Sequence, residues 1–211
     1  IAEKPDRVLV YGDTNSTVAA ALAAVKLHIP TAHVEAGMRS FNRKMPEEIN
    51  RVVSDHISDI NFCSTPIAVK NLENEGRGHT AILVGDVMYD CALNFSDAAE
   101  KNCDPFKKFG IEKGNYVLMT CHRPANTDVH ENLEAIVRAA NDISETCPVL
   151  YPVHPRTKKY IADYKLSFSG NVKVVAPLSY FDMLLAERYS KLILTDSGGI
   201  QEETTILKVP C

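Results

Sequence analysis

Short, nearly unbroken apolar runs recur along the chain at 7–11, 31–35, 59–63, 81–84, 116–121, 148–153, 172–175 and 191–195. A run such as Arg7-Val8-Leu9-Val10-Tyr11 does not alternate apolar with polar residues, so it suits a strand covered on both faces. Between the runs lie segments with helical spacing: 16–28, 47–58, 67–75, about 88–100, 129–146, 180–190 and 200–207. In 129–146 the apolar residues Leu133, Ile136, Val137, Ala140 and Ile143 share one helical face. Pro46-Glu47-Glu48 is a good helix start, by proline position and by charge on the helix dipole. Strands alternating with helices predict an α/β fold with parallel sheets. The alternation breaks between Val84 and Tyr116, where Asp104-Pro105, Gly110 and Gly114 follow a helix. We therefore expect two Rossmann-like domains, over 1–87 and 88–211.

With 211 residues and 45% hydrophobic content, the chain can build cores without staples. Its net charge of -4 carries no long run of one sign. That argues against nucleic acid or an anionic membrane surface as partner. No apolar stretch approaches the roughly 18–20 residues of a membrane span, and no secretory leader opens the sequence. The six cysteines are scattered, with no C-x-x-C pair, which fits thiols in a reducing, cytoplasmic compartment. No Cys/His grouping has metal-ligand spacing, so no metal is predicted. The first strand begins almost at once, and the chain stops at Val209-Pro210-Cys211 where another strand would start. Domain boundaries normally fall in polar linkers, so truncation at both ends is expected.

In open parallel sheets, ligands bind at the carboxyl ends of the strands. Five strands here end in chemistry-bearing residues: Gly12-Asp13-Thr14, Glu35-Ala36-Gly37, His122-Arg123, His154-Pro155 and Asp196-Ser197-Gly198-Gly199. Each also has a structural reading. Asp13 is one of several residues able to cap the next helix. Glu35 ends an apolar strand, where a buried carboxylate costs several kcal/mol, on the order of a lost ion pair, unless it is paired or functional. Glu47 and Glu48 suit a helix start for electrostatic reasons alone. His122 and His154, taken singly, read as hydrogen-bonded core histidines. Ser197-Gly198-Gly199 before a helix offers free N–H groups suited to phosphate. Their shared edge weakens the structural reading of all of them.

Taken in order, Gly12-Asp13-Thr14, His33-Val34-Glu35-Ala36-Gly37-Met38-Arg39, Pro46-Glu47-Glu48-x-Asn50-Arg51, His122-Arg123, Tyr151-Pro152-Val153-His154 and Thr195-Asp196-Ser197-Gly198-Gly199-Ile200-Gln201-Glu202-Glu203 resemble the non-hydrolysing UDP-N-acetylglucosamine 2-epimerases across essentially the whole chain. The resemblance implies a GT-B fold, two Rossmann-like domains with the active site in the cleft. It implies interconversion of UDP-N-acetylglucosamine and UDP-N-acetylmannosamine without a cofactor, for cell-surface polysaccharide precursors. It assigns acid/base roles to Asp13, Glu35, Glu47 and His122. It assigns nucleotide or pocket contacts to Arg51, His154, Ser197, Gly198, Gly199 and Glu203, the last on the ribose hydroxyls. A homodimer is expected by the same resemblance.

The chemistry needs such residues. Carbon 2 of an N-acetyl sugar has no adjacent carbonyl, so direct deprotonation is slow. Eliminating UDP from carbon 1 lets the developing charge leave on phosphate. Return from the other face then needs a proton donor there. The rival readings are a UDP-sugar glycosyltransferase of the same fold, a hydrolysing epimerase, an epimerase of related diacetamido sugars, and a non-catalytic UDP-binding module.

Overall fold

The computed structural model describes residues 3–211. The chain divides into two compact units, Ile1–Val87 and Met88–Cys211. All eight apolar runs are strands, each within a residue or so of its expected span.

The first unit runs β1 (Val8–Tyr11), α1 (Asn15–Lys26), β2 (Thr31–Ala36), α2 (Pro46–Ile57), β3 (Ile60–Cys63), α3 (Pro66–Asn74), a 3₁₀ turn (Gly78–Thr80) and β4 (Ala81–Leu83). Its sheet has the order β1-β2-β3-β4, all parallel. A monotonic order with right-handed crossovers puts α1, α2 and α3 on one face. The residues pointing to that face, Val10, His33, Asn61 and Cys63, are buried. Leu9 and Tyr11, which alternate with them, are exposed, so β1 is not covered on both faces as its apolar run suggested: all three helices of this unit pack on the other face.

The second unit runs α4 (Val87–Asn102), α5 (Pro105–Phe109), β5 (Val117–Thr120), α6 (Pro124–Thr127), α7 (His130–Ser144), β6 (Val149–Pro152), α8 (Pro155–Asp163), β7 (Val172–Val175), α9 (Tyr180–Arg188), β8 (Leu192–Thr195) and α10 (Gly198–Leu207). The order β7-β6-β5-β8 is doubly wound. Successive residues of β5 feed opposite cores. Val117 and Met119 join Ala140, Val149 and Tyr151 under α7, while Tyr116 and Leu118 join Leu150, Ala186 and Ile193 under α9. Each large side chain so buried contributes about 1.5–3 kcal/mol, which is why β5 reads as a continuous apolar run.

Three short helices, α5, α6 and α8, were not expected from periodicity. Each has proline at its first position, and α5 and α8 are capped by the side chains of Asp104 and His154. Their start signals are local, while their apolar content is too small to show a period.

Candidate functional site

In the first unit, the carboxyl edge of β1 and β2 is held by a buried ionic network. Asp55 on α2 accepts from His33 Nδ1 at 2.7 Å, Gly37 N at 3.0 Å and Arg39 Nη1 at 2.7 Å. The other ring nitrogen of His33, Nε2, meets the Gly12 carbonyl at 2.7 Å. Arg39 forks onto both oxygens of Glu75 at 2.8 and 2.7 Å. Burial disfavours the Arg39 charge, but Glu75 and Asp55 more than compensate and push its pKa up. Arg39 in turn holds the Glu75 carboxyl below its ordinary range. The network fixes the backbone at Gly12 and Gly37, the turns that follow β1 and flank the end of β2. Gly37 has φ +79°, and a Cβ there would lie 2.4 Å from the Ala68 carbonyl oxygen, so no side chain fits.

Glu35 corrects an expectation. It is exposed rather than buried. A bulge between Val34 and Ala36 interrupts the β2–β3 register, and Glu35 adopts φ +68°. The bulge turns it out of the alternation that would have buried it. Left-handed backbone at a non-glycine residue costs on the order of 1–3 kcal/mol and gathers at functional sites. A Cβ built on Gly12 would sit 3.6 Å from Glu35 Oε2, so this carboxylate lies over the turn that carries Asp13.

Asp13 does not cap α1; Thr14 does, accepting from Thr17 N. The Asp13 carboxylate instead pairs with Arg51, Oδ2 lying 3.0 Å from Nε and 2.8 Å from Nη2. Arg51 Nη1 reaches Glu48 at 3.0 Å. Glu48 is buried and accepts from Ser40 N, Ser40 Oγ and Phe41 N at 2.8–2.9 Å. Burial opposes its charge, yet those donors and Arg51 hold the carboxyl below its ordinary range. Of the two acids that open α2, Glu48 is therefore the structural one. Glu47, half-buried beside it, makes no side-chain hydrogen bond or ion pair among the described residues.

In the second unit, β5 and β8 are neighbours on either side of the point where strand order reverses, where such sheets bind ligands. His122 follows β5, and Ser197-Gly198-Gly199 opens α10. Asp196, which sequence reasoning quoted but did not assign, joins them. Its carboxylate accepts from Arg123 N at 2.8 Å, His122 N at 3.0 Å and Asn126 Nδ2 at 2.9 Å, and lies 3.3 Å from His122 Nδ1. Burial opposes this charge too, but those donors hold the Asp196 carboxyl below its usual range. Arg123, also unassigned, donates Nε to the Asp196 carbonyl at 2.6 Å. Its Nη2 would lie 3.9 Å from a Cβ on Gly198. A guanidinium thus faces the start of α10, where Ser197 is the N-cap. Backbone N–H groups, helix dipole and cation together suit an anion. A cavity of about 310 Å³ opens at this edge beside Thr120, Asn126 and Asp196.

His122 and His154 are exposed, not core, histidines, with ring centroids 6.4 Å apart. Strand ends project past the helices that cover strand middles, which is why neither is buried. His154 caps α8, accepting from Arg156 N at 3.2 Å. Glu203 lies buried in α10 close to Glu187 of α9, and both carboxyls are raised by burial.

No described helix is long and apolar enough to cross a membrane. Among the described residues, no group of three or more His, Cys, Asp and Glu is placed to hold a metal.

The sequence model of the UDP-N-acetylglucosamine 2-epimerases matches residues 1–211. A UDP-N-acetylglucosamine 2-epimerase homolog of Methanococcus maripaludis is 52% identical over all of this chain and 60% of its own length. The UDP-2,3-diacetamido-2,3-dideoxy-D-glucuronate 2-epimerase of Pseudomonas aeruginosa is 48% identical over all of this chain and 59% of its own. The crystal structure of Methanocaldococcus jannaschii UDP-GlcNAc 2-epimerase in complex with UDP-GlcNAc and UDP, 46% identical, superimposes with a TM-score of 0.89 over all of this chain and 60% of that one. The chain thus spans about 60% of the length of these relatives, and its two parallel α/β units are those of the GT-B class. By the family match over its full length, the chain belongs to the UDP-N-acetylglucosamine 2-epimerase family.

Proposed function

We propose that the protein interconverts UDP-N-acetylglucosamine and UDP-N-acetylmannosamine, supplying precursors of cell-surface polysaccharide. Residues 1–87 are then the C-terminal part of the first Rossmann-like domain, and 88–211 the UDP-binding one. The observation that carries the reading is the strained Glu35 carboxylate held over the turn of Asp13, in a chain of this family.

In the reaction a carboxylate takes the carbon 2 proton as the bond from carbon 1 to the phosphate oxygen breaks. The electron pair of the C–H bond forms the glycal double bond, and UDP leaves with the pair of the C–O bond. Return reverses both events: a phosphate oxygen attacks carbon 1 and a proton reaches carbon 2 on the opposite face. Nothing is oxidised or reduced, and no cofactor is needed. Asp13, Glu35 and Glu47 form the acid/base set, each positioned group giving roughly 10²–10⁴ in rate. Arg51 holds Asp13. His122 acts at the phosphates or the glycosidic oxygen, with His154 beside it. Ser197, Gly198 and Gly199 receive the diphosphate, and Glu203 receives the ribose hydroxyls. The exposed Gly198 at the start of α10 and the facing Arg123 support the diphosphate assignment. We further propose a cytoplasmic homodimer; the six unpaired cysteines fit a reducing compartment.

The relative from P. aeruginosa favours a second reading, epimerisation at carbon 2 of a UDP-diacetamido uronic acid. Product analysis by proton NMR, with each sugar nucleotide offered to the complete protein, separates the readings. The manno epimer of UDP-N-acetylglucosamine is expected. Turnover of the diacetamido sugar alone favours the second reading. Sugar transferred to an acceptor, or free N-acetylmannosamine, overturns both.

A further inference from the structure

Glu187 lies on the inner face of α9 with none of its surface exposed, and neither of its carboxylate oxygens meets an N–H or O–H donor. A buried carboxylate in that position cannot keep its charge, because nothing repays the lost hydration. It interacts with Glu203 on α10, itself only 8% exposed. Two facing carboxylates cannot both ionise, so one proton serves the pair. The surroundings say which acid holds it. Glu187 has no other partner, while Glu203 reaches the surface in part. The other groups that interact with the pair are Glu202 and the Tyr180 and Tyr116 hydroxyls, and none is cationic. The Tyr116 hydroxyl is already committed to the Ala186 carbonyl at 2.5 Å.

We propose that Glu187 is a positioning residue: as a neutral acid it donates its proton to Glu203 and fixes that carboxylate as an acceptor for the hydroxyls of a nucleotide's ribose. This rests on the nucleotide reading of α10 given above. Burial and the Glu203 carboxylate both raise the Glu187 pKa; burial raises that of Glu203 as well, and the hydrogen bond from Glu187 opposes that rise, as expected of donor and acceptor. Left alone, a carboxylate turns easily about its last torsion. A locked acceptor is paid for before the ligand arrives, which is where preorganisation gains affinity.

Calorimetric titration of the complete protein with UDP and with 2′-deoxy-UDP tests this. The wild type is expected to prefer UDP by about tenfold or more. Glu187→Leu, without a donor, should bring that preference close to one, weakening UDP more than 2′-deoxy-UDP, which keeps only the 3′ hydroxyl. Glu187→Gln retains a donor and should retain the preference. It should also keep the preference as pH rises toward 10, where the wild type loses it as Glu187 ionises. An undiminished preference in Glu187→Leu overturns the proposal. So does a Glu187→Gln variant that loses the preference over the same pH range as the wild type, and this arm holds even if the leucine variant does not fold. A wild type that binds no UDP contradicts the nucleotide reading instead. Carbon-13 NMR then reads the pair directly: one carboxyl titrating far above the usual range, missing in Glu187→Gln, supports the shared proton, and no such carboxyl overturns it.

Discussion

Arg51 closes on Asp13 with Nε 3.0 Å and Nη2 2.8 Å from one carboxylate oxygen, while its third nitrogen holds Glu48. The cation thereby ties the turn after β1 to the first turns of α2. Replacing it leaves a buried Glu48 and a half-buried Asp13 without their common partner. Arg51→Leu should lower unfolding free energy by roughly 1–3 kcal/mol and turnover more than tenfold, measured by urea denaturation and product assay. Arg51→Lys keeps the charge but cannot fork to both acids, and should fall between. A lysine variant equal to wild type in both assays would show that the fork is dispensable.

Glu35 should be the most sensitive carboxylate to an isosteric change. Glu35→Gln leaves shape and bulge intact and removes the base, so turnover should fall by about 10²–10⁴ with little change in stability. Gly12→Ala tests the same turn from the other side. Gly12 has φ +62°, where a side chain costs roughly 1–2 kcal/mol, and its new Cβ approaches Glu35. A loss of both stability and turnover is expected, against turnover alone for Glu35→Gln.

Asp196→Asn should separate positioning from chemistry in the second unit. The folded pKa of Asp196 lies below its ordinary value of 3.8. Its contribution is therefore present above that value and is lost as pH falls through the folded pKa. At neutral pH the variant should be less stable by roughly 1–3 kcal/mol, and the gap should close in strong acid. UDP affinity should fall about tenfold, because His122 and Arg123 lose their anchor. Denaturation at several pH values and calorimetry check both halves.

Glu187 has the opposite sign. Its folded pKa is raised above the ordinary 4.5, so its stabilising state is full below that value and is lost as pH rises toward the folded pKa. Over that window wild-type stability should fall by up to roughly 1.4 kcal/mol per pH unit relative to Glu187→Gln. The comparison is a set of urea melts from acid to alkaline pH, and parallel curves would remove the raised pKa.

The second sheet was legible because strands covered on both faces must be apolar throughout, and β5 and β6 obey this; in the first sheet the apolar runs marked strands, although one face of β1 is exposed. The polar strand ends were legible for the complementary reason: polar residues after such runs fall at one edge. What sequence spacing could not show is local backbone detail and distant pairing. The bulge at Glu35 depends on how β2 meets β3, so Glu35 read as buried. The pairing of Asp13 with Arg51, of Asp196 with the backbone at His122, and of Glu187 with Glu203 joins residues whose nearness follows only from helix and strand packing. The His-Val-Glu-Ala-Gly run contained one unread signal. His33 is buried in mid-strand and needs partners on both ring nitrogens, which points to a buried acid such as Asp55.

The central claim is proton exchange at carbon 2 through reversible loss of UDP. Incubating the complete protein with UDP-N-acetylglucosamine in heavy water, and following carbon 2 by NMR, tests it most directly. Deuterium should enter at carbon 2 as the manno epimer appears, and Glu35→Gln should slow both together. Epimer that retains its original hydrogen, or substrate recovered unlabelled and unchanged, would contradict it.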